Sequence, residues 1–263
     1  MKRIFACMII VFCFVIASSG SGKQTYERTL KEFSINDISS ISLRNINGDI
    51  SLKSSDIENV FLKVVSKDSM LSGVSDEEFW KIYFSAGLND RGLCLSVESV
   101  EQENGLFGGK DKKKAPSIDI MIEVPEKGFD LFLDTVNGDI LLDSYKGNIE
   151  GKTVNGDIDT MNLNGQVSLV TVNGKIRLCL EEASGESKIR TVNGNIELYL
   201  NPALNLTITA KNVNGSIKAD KIELAEIKSG RRYLKAVLNK PENTISLNTV
   251  NGSITLNNIV DKK

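Results

Sequence analysis

The sequence predicts an all-β protein whose main part is a parallel β-solenoid, and three observations carry that prediction. A hexapeptide of the form Thr-Val-Asn-Gly-x-Ile recurs along the chain, glycines recur every nine residues within it, and the residues between them alternate between apolar and polar. The copies are TVNGDI at 135–140 and 153–158, TVNGKI at 171–176, TVNGNI at 191–196, NVNGSI at 212–217, TVNGSI at 249–254 and an early NINGDI at 45–50.

The spacing of the glycines defines the repeat unit. Five glycines stand nine residues apart, and every second one belongs to the hexapeptide: Gly138, Gly147, Gly156, Gly165 and Gly174. One unit therefore has two turns and two short strands, and the expected coils contain roughly 18–21 residues. The last interval, 37 residues from Asn214 to Asn251, holds either two units or one unit with an insertion near 225–232.

Two architectures fit this alternation of strand and turn. Asn-Gly between alternating apolar residues is a strong hairpin signal and would suit an antiparallel meander. A solenoid instead stacks each coil on the previous one at about 4.8 Å, so that equivalent residues lie directly above one another. Only the stack explains why every second turn has the same tetrapeptide. We therefore expect Asn137, Asn155 and Asn173 to form a column.

The hexapeptide also predicts which side chains face the core. The valine before each turn and the isoleucine after it are expected to point inward, whereas the threonine is expected to face outward. The asparagine is expected to tolerate left-handed backbone and bond to the next coil, and the glycine to supply a positive φ. The inward columns are Val136, Val154, Val172, Val192, Val213 and Val250, and Ile140, Ile158, Ile176, Ile196, Ile217 and Ile254; the outward column is Thr135, Thr153, Thr171, Thr191 and Thr249.

The composition argues against two classes of function, nucleic-acid binding and catalysis by histidine. The 263 residues carry a net charge of -2, with 32 basic and 34 acidic side chains, so no global basic field favours nucleic acid as a partner. There is no histidine, which removes the commonest general base and metal ligand. Catalysis would have to rely on carboxylates.

The chain divides into three expected segments. Lys2 and Arg3, the apolar run 4–16 and the small residues 17–20 have the form of a signal peptide at 1–19. An N-terminal β-rich region at 20–128 is expected to cap one end of the stack, and the solenoid repeats occupy 129–263. The mature chain is expected to be exported, either periplasmic, associated with the cell envelope or secreted, with no transmembrane segment.

The N-terminal region contains one helical signal among its strands. Ser75 and Glu78 form a capping box, and Phe79 and Ile82 follow at helical spacing, so a short helix carrying Trp80 is expected. Alternation predicts strands around 33–35, 41–43, 46–52, 60–64, 93–100 and 118–125, and later at 233–238 and 244–247. The lysine-rich run 110–114 is interpreted as a solvated hairpin tip, and the tail 256–263 as a charged end that discourages edge pairing.

Two cysteines remain in the mature chain. Cys94 and Cys179 each stand among alternating leucines, which predicts that both thiols point outward. Two separate thiols are favoured over one disulfide bridge, although export would permit the bridge. The early Cys7 and Cys13 fall within the segment expected to be removed.

These features together resemble a known family. A signal sequence, mixed strands, an apolar strand ending in a proline turn at 118–125 and TVNGDI-type repeats resemble DUF4097, a bacterial family also described as candidate adhesins or β-strand-repeat proteins. The resemblance covers roughly 34–259. It implies a parallel β-solenoid in an exported or envelope-associated protein, and it implies no catalytic site.

Two functional hypotheses follow. The first is a non-enzymatic adhesin or envelope module whose flat sheet faces bind a protein or polysaccharide, using outward rows that include Asp139, Asp157, Lys175 and Asn195. The second is a polysaccharide-acting enzyme in which the stacked Asp139 and Asp157 supply paired carboxylates. The column changes to lysine and asparagine after Asp157, which favours the first hypothesis. No catalytic residue, cofactor or metal is predicted, and the oligomeric state is left open.

Overall fold

The structure is a computed structural model, and it describes residues 26–34, 39–66, 75, 84–89, 92–97, 117–126, 128–219 and 222–259. The described residues form 21 strands and no α-helix. The predicted signal peptide, the helix carrying Trp80 and the lysine-rich run 110–114 lie outside the described residues.

The strands are short, because each ends where a polar turn interrupts the alternation. In order they are β1 (Tyr26–Ser34), β2 (Ser40–Arg44), β3 (Ile50–Ser55), β4 (Asn59–Ser66), β5 (Phe84–Asn89), β6 (Gly92–Val97), β7 (Ile118–Pro125), β8 (Asp130–Asp134), β9 (Ile140–Lys146), β10 (Ile149–Lys152), β11 (Ile158–Gly165), β12 (Val167–Val170), β13 (Ile176–Ala183), β14 (Glu186–Asn193), β15 (Ile196–Leu200), β16 (Leu206–Asn214), β17 (Ile217–Ala219), β18 (Ala225–Gly230), β19 (Tyr233–Leu238), β20 (Asn243–Asn251) and β21 (Ile254–Asn258).

The strands form two sheets that face each other across one apolar core. Sheet A has the order β1-β4-β7-β3-β9-β11-β13-β15-β21-β17, and sheet B has the order β18-β19-β16-β20-β14-β12-β10-β8-β2-β6-β5. Successive coils pair in parallel, as in β8 with β10 and β9 with β11. The predicted all-β parallel solenoid is therefore confirmed, and the meander is wrong for the repeats.

One corner of every coil is built by the hexapeptide, and we call it the TVNG corner. Its asparagines form a ladder in which each side-chain Nδ2 donates to the Oδ1 of its neighbour at 2.8–2.9 Å. The predicted column through Asn137, Asn155 and Asn173 is thus confirmed. The complete ladder is Asn47, Asn137, Asn155, Asn173, Asn193, Asn251 and Asn214.

The predicted orientation of threonine and valine at this corner is wrong. The five threonines are only 1–4% exposed, whereas the six valines are 37–51% exposed. Each threonine hydroxyl donates to the carbonyl of the glycine in the neighbouring coil, as Thr153 Oγ1 does to Gly138 O at 2.9 Å. The alternation begun by Leu131 and Leu133 continues through Thr135, so the hydroxyl is the inward group that satisfies the backbone at the bend. The isoleucines are buried as predicted, except that Ile217 at the end of sheet A is only half-buried.

The conformation predicted for the Asn-Gly pair is wrong for the ladder asparagines and for most of the glycines, although Gly48 and Gly215, at the two ends of the ladder, have the predicted positive φ. Among the described residues, left-handed non-glycine backbone occurs at Ser144, Asn162 and Asn239, and not at the ladder asparagines. Gly156 lacks a positive φ, yet a Cβ there would lie 2.0 Å from the carbonyl oxygen of Gly138. The glycine is required because successive corners stack backbone on backbone, which leaves no room for any side chain.

The second corner of the coils varies from level to level. Near one end of the stack the hydroxyl of Tyr145 donates to the carbonyl of Phe129 at 2.6 Å and accepts from its N–H at 2.8 Å. Burial raises the pKa of Tyr145, although the hydrogen bond to Phe129 opposes the shift. This tyrosine closes one turn that no other described coil repeats.

The last coil of the sequence is not the last coil of the stack. The β20–β21 coil lies between the β14–β15 coil and the β16–β17 coil, so the final described strand is internal to sheet A. The interval from Asn214 to Asn251 holds one coil plus an antiparallel β18–β19 hairpin that ends sheet B. The segment from Leu256 onward was predicted to end the stack at a sheet edge. That prediction is wrong, because Leu256 is fully buried in a strand that lies between two others.

At the opposite end, N-terminal strands close the stack. Sheet A ends in the antiparallel strands β4 and β1, and sheet B ends in β5, which pairs antiparallel with β6. The coil formed by β2 and β3 stacks directly on β8 and β9 in parallel. The division of the chain at residue 128 stays a prediction.

Cys179 is buried, with its side chain only 2% exposed. Leu178 and Leu180 fill the inward positions on either side, and Cys179 is in register with the half-buried Tyr199, so its position is outward as predicted but the thiol is covered. In the neighbouring β11, which bulges near Asn162, the hydroxyl of the buried Thr160 accepts the Cys179 N–H at 3.2 Å. The side chain of Cys94 lies outside the described part of the molecule.

Candidate functional site

The candidate site is a groove on the outer face of sheet A. A solvated sheet face normally carries polar side chains, yet four apolar side chains point outward here. They line a depression in the surface, which we call the apolar groove. The groove has a volume of about 810 Å³ and crosses β4, β7, β3, β9 and β11. Its apolar side chains are Phe61, Met121, Leu141 and Met161.

The strand register places these side chains in two rows. In the first row Met121 and Leu141 lie on either side of Ser51, whose small side chain leaves the depression between them. In the second row Phe61 and Met161 stand at the two ends. Met121, Leu141 and Met161 are 41–44% exposed, so the groove is open to a partner.

Charged side chains occupy the middle of the second row. Lys53 lies opposite Glu123 on one neighbouring strand and opposite Asp143 on the other. Glu123 also accepts a hydrogen bond from Ser55 Oγ at 2.5 Å. The apolar surface is therefore crossed by alternating charges that a partner would have to match.

An ion-pair network borders the groove on the side of β13. Arg177 Nη1 donates to Asp159 Oδ2 at 2.7 Å, and Arg177 Nε lies 3.4 Å from Glu197, which also pairs with Lys175 at 2.7 Å. Burial alone would raise the pKa of Glu197, but Lys175 and then Arg177 lower it below its usual range. Burial alone would lower the pKa of Arg177, but Asp159 and Glu197 hold it above its ordinary value. The network makes this half of the face polar.

The carboxylates considered for catalysis lie at the TVNG corner, away from the apolar groove. Asp139 Oδ1 accepts the backbone N–H of Asp157 at 2.7 Å, and Asp157 Oδ1 accepts that of Lys175 at 2.7 Å. The column extends in the other direction through Asp49 and Asp119, which the sequence reasoning missed. Each carboxylate thus joins its coil to the next, as the amide of Asn195 does for Ser253.

Within the described residues, no group of three or more acidic or cysteine side chains has an arrangement that could hold a metal ion. In the same part of the chain, no helix has the length and hydropathy needed to cross a bilayer.

The sequence reasoning also missed the apolar groove. The binding hypothesis relied on outward rows that include Asp139, Asp157, Lys175 and Asn195, and it treated the outer faces as polar. A usable signal was present in the strand patterns. Leu141 and Met121 both stand at outward positions of strands whose inward positions are already filled by isoleucine and leucine.

The comparisons agree with this architecture. The sequence profile of the family described as Toastrack DUF4097 matches residues 8–257, and the chain belongs to this family. The resemblance inferred from the repeats is therefore confirmed. No curated protein matches the chain.

The chain is similar to several solved structures of bacterial proteins. A protein from Clostridium sporogenes, named as a candidate cell adhesion protein, is 16% identical, with 89% of this chain and 99% of that chain covered and a TM-score of 0.51. A candidate adhesin from Bacteroides fragilis is 14% identical, with 90% and 98% covered and a TM-score of 0.37. A candidate lipid binding protein from Parabacteroides distasonis is 15% identical, with 91% and 98% covered and a TM-score of 0.32. At this identity the first likeness shows the shared fold.

Proposed function

We propose that this protein is a non-enzymatic binding module of the cell envelope, in which the apolar groove holds a segment of a partner protein. The observation that carries the proposal is the outward set of Phe61, Met121, Leu141 and Met161 on a sheet face that is otherwise polar. Large apolar side chains that remain exposed in a contiguous patch mark interaction sites. The adhesion role that names the Clostridium sporogenes protein is a role of this kind.

The chemistry of the groove favours a protein over other partners. Two methionines give an adaptable apolar surface, which suits binding to irregular side chains. The groove has one aromatic ring, Phe61, so it lacks the series of aromatic platforms that would stack against sugar rings. Lys53, between Glu123 and Asp143, requires matching polar groups on the partner, which a protein segment supplies and an acyl chain does not.

Export supports an envelope location for this binding. The proposal rests on the basic start at Lys2 and Arg3, the apolar run 4–16 and the small residues that follow. Fractionation of cells that produce a tagged chain would show the tag in the envelope or medium, and retention of the tag in the cytoplasm would refute this part of the proposal.

The binding proposal is tested with a photo-crosslinking amino acid placed at Leu141 and, in a matched protein, at Ser42 on the outer face of sheet B. We expect one envelope protein to be linked from position 141 and not from position 42. That protein is then purified and its affinity for the unlinked chain is measured. The variant Leu141→Lys should weaken binding by about tenfold or more, because a charge would be buried at the apolar contact.

Leu141 is exposed, so the variant should keep its fold, which a thermal unfolding curve verifies. Equal crosslinking from both faces would contradict the proposal. Unchanged affinity of the purified partner for Leu141→Lys would do the same. Preferential capture of a lipid or glycan at position 141 would replace the protein partner with that class of ligand.

A further inference from the structure

We propose that the protein has a second binding surface, on sheet B at the opposite end of the stack, which binds an anionic polysaccharide. Five basic side chains on the outer face there form what we call the basic patch. They are Lys188 and Arg190 on β14, Lys211 on β16, Lys228 on β18 and Lys235 on β19. The patch shares neither a strand nor a sheet with the apolar groove, so this surface goes beyond the proposed protein partner.

The strand register arranges the patch in two rows of alternating charged and neutral polar side chains. One row runs from Lys188 across Ser246 and Thr209 to Lys235. The other runs from Arg190 across Asn248 to Lys211. Since neighbouring strands lie about 4.8 Å apart, Arg190 and Lys211 are separated by about 10 Å with an amide between them.

The positive charge of the patch is largely uncompensated. Among the described residues Lys188 is the only member of the patch with a carboxylate partner, Glu186 at 3.3 Å. The whole protein has a net charge of -2, so the patch is a local concentration of positive charge rather than a reflection of composition. Such a concentration attracts anions over distances of about a Debye length, ~8 Å at physiological salt.

Two of the lysines lie over one tyrosine ring, and a third is close to it in sequence. The ammonium groups of Lys211 and Lys228 lie 5.8 and 5.7 Å from the centre of the Tyr233 ring, and Lys235 stands two residues after Tyr233 on the same face. Lys228 and Lys235 are also direct cross-strand partners. Like charges opposite each other destabilise a sheet, and a bound anion would relieve that repulsion. A bound anion would therefore stabilise this arrangement of lysines.

The neutral side chains identify the class of anion. Ser246, Thr209 and Asn248 provide hydroxyl and amide groups between the cations, which match a polymer that carries both hydroxyl and acidic groups. Tyr233 is the only aromatic side chain in the described patch, so stacking of successive nucleic acid bases is not supported. The flat face has no amphipathic helix to enter a bilayer, so a membrane surface is also a poorer fit.

The experiment measures binding of the full chain to immobilised dextran sulfate and polygalacturonate, with neutral dextran as the uncharged control. We expect binding to the two acidic polymers that weakens as NaCl rises, and none to neutral dextran. The triple variant K211Q/K228Q/K235Q should weaken binding by about tenfold, since each exposed ionic contact contributes a modest amount. The variant K188Q/R190Q, on a different strand, should give a smaller loss.

A matched triple variant, R44Q/K146Q/K218Q, removes the same charge from other exposed positions and should bind within about twofold of the unmodified protein. Thermal unfolding checks that every variant is folded. The proposal is overturned by equal losses in the two triple variants, by no binding to either acidic polymer, or by tighter binding to anionic vesicles or duplex DNA. Leu141→Lys should leave this binding unchanged, so failure of the protein-partner proposal is seen separately.

Discussion

The TVNG corner and the outer faces of the sheets differ in how strongly one coil constrains the next. At the corner the backbone of one glycine touches the next, and the asparagine and threonine side chains bond to the neighbouring coil. On the outer faces the residue at an equivalent position changes freely, as from Leu141 to Asp159 to Arg177 along one row. The residues that repeat from coil to coil therefore hold the stack together. The proposed binding surfaces lie on the outer faces, where the residues differ between coils.

The largest expected effect comes from filling the space at the corner. Gly156→Ala would place a Cβ only 2.0 Å from the carbonyl oxygen of Gly138, and the backbone of the coils on both sides prevents relaxation. We expect a loss of about 3 kcal/mol or more in the free energy of unfolding, measured with urea. Gly230→Ala is the control, because its Cβ would be 4.0 Å from the nearest atom, Tyr233 O, and it should change stability by less than about 0.5 kcal/mol. Similar losses for both would show that the corner is not specially constrained.

A smaller effect is expected from removing one inward hydroxyl. Thr171→Val keeps the shape of the side chain but removes the hydrogen bond to Gly156 O at 2.9 Å, leaving that carbonyl without its donor. The expected cost is about 1–3 kcal/mol in the same urea experiment. The adjacent Val172→Thr, at a 37% exposed position, should change stability by less than about 0.5 kcal/mol. The opposite ranking would contradict the observed orientation of the pair.

The smallest effect concerns the ion pairs on the outer face of sheet A. The pKa of Glu197 is lowered in the folded state, so its contribution to stability is present above its ordinary value of 4.5 and is lost as pH falls through the lowered value. Glu197→Gln should therefore unfold more easily than the unmodified protein at neutral pH, and the difference should vanish in acid. Thermal unfolding across this pH range measures it. A difference that grows as pH falls would show that the sign is wrong.

Local patterns predicted much of this fold. The eighteen-residue unit, the asparagine column and the buried isoleucines follow from glycine spacing and period-two alternation, because each coil repeats the same backbone contacts. The inward threonine at 135 was also available from the alternation that starts at Leu131. It was missed because valine was assigned to the core on hydropathy alone, although the corner needs a hydrogen-bond donor there.

The binding surfaces could be predicted only in part. The outward positions of Met121 and Leu141 can be counted from their strands, but their meeting around Ser51 depends on pairing between strands about 70 and 90 residues apart in sequence. The basic patch likewise joins Arg190 to Lys211 only because Asn248 is placed between them. Such neighbours are set by register across the sheet.

The amino-acid sequence alone determined that this chain forms stacked β-coils, where each coil turns and which isoleucines form the core, since these depend on contacts repeated at every level. The order of the final coils depended on the assembled structure. Any coil of this shape offers the same backbone donors and acceptors, so local sequence does not distinguish the edge of the stack from a place between two coils. The insertion of β20–β21 beneath β16–β17, and the basic patch that it completes, result from that three-dimensional choice.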